Sequence, residues 1–174
     1  MNLERIQAEH RRLRSGPAHG EKPAGVGIVR FALRLQTQSP STFLQNVKEV
    51  LIKIDERTLK GGWPTYQEWR SLLPKWFLEK CKPAMTTEEA QEYLEWWDSL
   101  SYEAKLRHAA VPEPWELSAW ISCFEPSARE WYWWDAVLAN TPLLIELEID
   151  GHPFPSEAFI WLCIAAGADN VEEI

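Results

Sequence analysis

Eleven of the 174 residues are tryptophan, and no other feature constrains the fold of this chain as much. An indole is large and mostly apolar, so its burial is favourable, but its ring N–H then needs an acceptor. A chain with this many indoles folds around an unusually aromatic core or displays some of them where they meet a partner, since tryptophan is enriched at interface hot spots. Trp96-Trp97 form one close group, and Trp131 with Trp133-Trp134 another.

The length accommodates one domain with a substantial core. Charge is uneven along it: residues 1–60 hold 11 Lys/Arg against 6 Asp/Glu, and residues 61–174 hold 7 against 20. The overall net charge of −8 opposes nucleic-acid binding and favours a basic partner, and it also serves solubility. No apolar run reaches transmembrane length, so no membrane partner is expected. The first residues, MNLERIQAEHRRLR, carry charge where a secretory signal needs an apolar stretch. Cys81, Cys123 and Cys163 fit neither a metal spacing nor a disulfide framework. Each sits in an apolar helical context, so buried reduced thiols and a cytoplasmic location are expected.

Residues 1–27 read as a flexible basic tail and linker, because 15–27 contain four glycines and two prolines. Residues 28–174 then form a single α+β domain. Val29, Phe31, Leu33 and Leu35 alternate with more polar neighbours, a strand signal. A helix starts at Ser39-Pro40-Ser41, turns Phe43, Val47, Val50, Leu51 and Ile54 inward, and stops at Gly61-Gly62. Thr65 with Glu68 and Thr86 with Glu89 fit capping boxes, while Pro74 and Pro114 suit first turns. The spacing predicts helices over 66–73, 75–81, 87–99, 102–110 and 114–124. In 87–99 the inward stripe is Ala90, Tyr93, Leu94 and Trp97, with Trp96 off it.

The last third changes period. LLIELEID at 143–150 alternates cleanly, and the β-prone 131–138 precedes it across the Asn140-Thr141-Pro142 turn. A C-terminal β-hairpin in a small antiparallel sheet follows, although Ser127 with Glu130 also fits a capping box. The apolar run EAFIWLCIAA, introduced by Ser156 and ended by Gly167, predicts a buried closing helix against that sheet.

Catalytic signatures are missing from the sequence. His10, His19, His108 and His152 have no metal-type spacing, and no G-x-S-x-G or phosphate loop is present, so neither metal nor cofactor is expected. Gly25-Val26-Gly27 lacks the third glycine of a dinucleotide loop. The hairpin holds the one suggestive constellation. With a loop at 139–142, Asp135 opposes Glu146, Trp133 opposes Glu148 and Trp131 opposes Asp150, all on one face. Tyr132, Trp134 and Ala136 then share the core face with Ile145, Leu147 and Ile149.

Four carboxylates and two indoles could pair a cation-rich protein surface through ion pairs and cation–π contacts. A solvated strand face has the same composition. The primary expectation is a non-enzymatic, acidic, Trp-rich protein-binding domain that occupies a basic partner surface, as immunity or inhibitor proteins do. The alternative is an enzyme or ligand-binding domain with a Trp/carboxylate-lined pocket for a carbohydrate-type ligand, because carboxylates about 6.5–7 Å apart along a strand match the spacing of inverting glycosidases.

Overall fold

The computed structural model describes residues 3–109, 113–138 and 142–174. In chain order the first elements are α1 (Leu3–Ser15), β1 (Gly27–Arg34), α2 (Pro40–Leu59), α3 (Tyr66–Leu72), α4 (Lys75–Leu78) and α5 (Thr87–Ser99). They are followed by α6 (Tyr102–Ala109), α7 (Leu117–Ser122), β2 (Trp131–Val137), β3 (Leu143–Ile149), α8 (Glu157–Ala165) and β4 (Asn170–Glu173). The fold is α+β, with one antiparallel sheet ordered β2-β3-β1-β4.

Local chemistry explains most boundaries. The Ser39 hydroxyl accepts the Thr42 N–H at 3.2 Å, and Pro40 opens α2 where its missing donor costs nothing. Both expected capping boxes form, Thr65–Glu68 on α3 and Thr86–Glu89 on α5. Pro114 does not open a helix. α7 starts at Leu117, capped by the Glu116 carboxylate, because the preceding chain runs beside Lys82, whose N–H donates to the Trp115 carbonyl at 3.0 Å. Asn140, Thr141 and the expected last residue of the 102–110 helix lie outside the described residues.

The sheet's inner face carries Phe31 and Leu33 of β1 opposite Ile145 and Leu143 of β3. α2 lays Phe43, Val47, Val50, Leu51 and Ile54 into the same core, and α8 adds Phe159, Trp161 and Leu162. Trp120 of α7 sits among Phe77 at 4.5 Å, Phe124 at 4.6 Å and Trp161 at 5.9 Å, and its ring N–H donates to the Ala158 carbonyl at 2.9 Å. Gly167 takes φ +108°, a conformation glycine tolerates, and turns the chain into β4, a short edge strand the sequence reading did not foresee.

Two expectations are corrected here. The hairpin pairs Asp135 with Glu146 as anticipated, but a bulge between Trp133 and Asp135 shifts the register beyond it. Trp133 therefore opposes Leu147 and Trp131 opposes Ile149, so both indoles enter the core and Tyr132 faces Glu148 instead. Nor is the N-terminal segment a loose tail. α1 lies against α2 and β2 with Ile6, Glu9, Arg12 and Leu13 buried. The Gly/Pro stretch after it is tied down by Ala24 and Gly25, whose N–H groups donate to Glu148 at 2.8 Å each, and by the Val26 N–H on the Ile149 carbonyl. Residues 1 and 2 lie outside the described residues.

The thiols are also less uniform than expected. Cys163 is buried, whereas Cys81 and Cys123 are half-exposed. Burial, with some help from Glu116, pushes the Cys81 thiol up to about 11.

Candidate functional site

The six hairpin residues do not form one open face. Trp131 and Trp133 are core, Glu146 pairs with Arg30 at 2.7 Å, and Glu148 is 1% exposed. Glu148 is held by Arg5 at 3.0 Å and Arg12 at 2.9 Å in addition to the two backbone donors, and Arg5 also pairs with Asp150. The Arg5 guanidinium lies 4.0 Å from the Tyr132 ring centroid, and that of Arg12 4.7 Å from Trp134. Carboxylates and aromatic rings meet cations here. The cations belong to the chain itself, Arg5 and Arg12 of α1 and Arg30 of β1.

The same helix finishes the sheet edge. Among the described residues β2 has no neighbouring strand on its outer side, and an uncovered edge leaves backbone donors and acceptors open. Glu9 accepts the Trp133 N–H at 2.5 Å, and Arg12 Nε donates to the Trp133 carbonyl at 3.0 Å. Arg129, buried between, donates to Glu9 at 2.7 Å, Asp55 at 3.2 Å and the Trp131 carbonyl at 3.0 Å. Burial, then the charge of Glu9, lifts the Asp55 carboxyl well above the ordinary carboxylate range, and burial raises Glu9 as well. Glu9 Oε2 and Asp55 Oδ2 are buried, and a retained proton lets one carboxyl donate to the other. This network fastens α1 and leaves little for a partner.

An open site lies elsewhere. A cleft of about 790 Å³ separates the α5–α6 arm from α7 and α8. Tyr93 and Trp97 of α5 form one wall, stacked at 6.3 Å and 20°. Trp115 and Trp161 contribute further aromatic surface, and Ile160 and Ile164 of α8 the aliphatic lining. Three carboxylates, Glu113, Glu116 and Glu157, line the cleft with Lys82 and His108. His108 Nδ1 is 3.3 Å from Glu113, and its ring packs on Trp96 at 4.9 Å.

The expected inward stripe on 87–99 is therefore not core packing. No residue of α5 is buried; Leu94 is 60% exposed and Trp96 40% exposed. Tyr93 and Trp97 instead face a cleft filled by no other segment of the described chain. Glu116 has a second task as the α7 cap, accepting the Ser118 and Ala119 N–H groups at 3.0 and 3.3 Å and the Ser118 hydroxyl. Partial burial works against its charge, but those bonds and Lys82 hold its carboxyl below the usual value.

Among the described residues no group of His, Cys, Asp and Glu is arranged to hold a metal ion. Electron-rich ring faces beside carboxylates suit a ligand with apolar and cationic parts. Sequence spacing could not assemble this cleft, since Tyr93, Trp115 and Trp161 come from separate segments. The local signal was Trp115 flanked by Glu113 and Glu116. Among the described residues no helix is long and apolar enough to cross a membrane. No family model, curated protein or solved structure gives a significant match to this chain.

Proposed function

We propose that this protein is a non-enzymatic binding domain that receives a basic segment of a protein partner in the cleft between the α5–α6 arm and α7–α8. The observation that carries this reading is the cleft's composition: four aromatic side chains and three carboxylates bordering one open volume of about 790 Å³. A partner segment with an aliphatic or aromatic anchor and flanking Lys or Arg would bury the first and pair the second. The net charge of −8 would steer such a partner towards the domain. Of the hairpin carboxylates, Glu148 is already paired to Arg5 and Arg12, Asp150 to Arg5 and Glu146 to Arg30, so the basic-partner reading attaches to the cleft rather than to them. An immunity- or inhibitor-type role in the cytoplasm, masking a basic partner surface, is the biological form this reading takes.

Fluorescence anisotropy with labelled twelve-residue amphipathic peptides provides the test, one built from Leu and Lys and its counterpart from Leu and Glu. The Lys peptide should saturate the protein, weaken steeply with added salt and lose affinity when Trp115 is replaced by Ala. The Glu peptide should not bind. Saturable binding of a neutral oligosaccharide such as cellohexaose, with neither peptide bound, would move the cleft to the carbohydrate reading. Equal binding of both peptides would reject charge as the basis of recognition.

A further inference from the structure

We infer that the group this cleft takes from its partner is a lysine or arginine side chain, and that Lys82 holds that group's place in the free protein. The inference rests on the reading of the cleft as a basic-segment site. Lys82 is the one lysine among the lining residues. It sits in the segment that leads into α5, half-buried, with its ammonium 6.0 Å from the Tyr93 ring centroid. It faces Glu116 as well, whose carboxylate it helps keep ionised. One ring face and one carboxylate are the partners an incoming cation needs.

Three features make Lys82 a stand-in rather than a fixed structural cation. Among the described residues no carboxylate lies within ion-pair distance of its ammonium, unlike the bonded guanidinium groups of Arg5, Arg12 and Arg129. Its fold contribution runs through the backbone, by the N–H bond to the Trp115 carbonyl, which side-chain truncation leaves in place. The remaining carboxylates of the cleft exceed what one ammonium balances, since Glu113 and Glu157 line it too. A partner cation on Tyr93 displaces the flexible Lys82 stem into solvent, where a lysine head is well hydrated.

The consequence is counterintuitive and measurable: removing a side chain from the binding site should tighten binding. With the Leu/Lys peptide as probe, Lys82→Ala should bind about 5-fold more tightly than wild type, as expected for one vacated cation–π position. Lys82→Arg, which keeps a cation there, should bind within about 2-fold of wild type. Removing any positive charge also improves steering, so Lys80→Ala is the control, being exposed and outside the cleft. A gain at Lys80→Ala equal to that at Lys82→Ala overturns the stand-in and leaves only general electrostatics. Unchanged or weaker binding by Lys82→Ala, with Trp115→Ala still damaging, overturns the inference while the cleft reading survives. No saturable binding by wild type removes both. Tighter binding of the Leu/Glu peptide by wild type, lost in Lys82→Ala, would mean that Lys82 instead binds a partner carboxylate.

Discussion

The sheet region and the α5–α6 arm use the same residue type for different ends. Around the sheet, Trp120, Trp131 and Trp133 are fully buried and the charges beside them are closed into internal pairs through Arg5, Arg12 and Arg129. In the arm no α5 residue is buried, Trp96 is 40% exposed, and Tyr93 and Trp97 face open volume beside carboxylates. Tryptophan abundance alone does not mark a surface. What separates the regions, among the described residues, is how far the surrounding charge is paired within the chain, and the proposed partner site lies on the arm side.

Truncating a core indole has the largest expected effect. Trp120→Ala should cost about 3–5 kcal/mol in urea unfolding, since it empties a core site and removes the ring N–H bond to the Ala158 carbonyl. Next in size is Arg129→Met. It strips the guanidinium from two buried carboxyls and should cost about 3 kcal/mol, with the loss concentrated in α1 protection from hydrogen exchange. Equal tolerance of these changes and of arm substitutions would mean that the sheet region is not the stability core.

A smaller effect is the pH dependence of α1 docking. Glu9 and Asp55 have folded values raised above 4.5 and 3.8, so their protonated forms favour the folded state. That contribution is fully present below the unfolded values and is lost as pH rises through the raised folded ones. Urea stability should therefore fall over that interval in wild type, and Asp55→Asn should flatten the slope. A slope unchanged by Asp55→Asn would place the shared proton elsewhere. Smallest of all, Trp96→Ala should cost about 1 kcal/mol or less, as a half-exposed ring packed on His108 at 4.9 Å and Tyr93 at 5.4 Å outside the core allows.

Much of the fold was legible because its signals are local. Period-2 alternation placed both hairpin strands, threonine three residues ahead of glutamate placed two helix starts, and an apolar run placed α8. The bulge was not legible. All four residues of Trp131-Tyr132-Trp133-Trp134 favour strand and tolerate burial, so alternation alone admits either facing. The choice is made by Glu9 and Arg12, which bind the Trp133 backbone from more than a hundred residues away. The N-terminal helix was misread because glycine and proline after it suggested a free tail, while Arg5 with Arg12 and Ile6 with Leu13, each pair two turns apart, carried the docking signal. The hairpin carboxylates suggested a basic protein partner, whereas Arg5, Arg12 and Arg30 of the chain itself pair with Glu148, Asp150 and Glu146. The cleft escaped entirely, since its walls come from segments that only tertiary folding brings together.

The most direct test of the central claim follows the indole N–H signals of ¹⁵N-labelled protein while the Leu/Lys peptide is added. Trp97, Trp115 and Trp161 should shift along one saturating curve, while Trp120, Trp131 and Trp133 stay in place. Shifts confined to Trp131, Trp133 and Trp134, with the cleft indoles still, would contradict that claim and return the binding site to the hairpin.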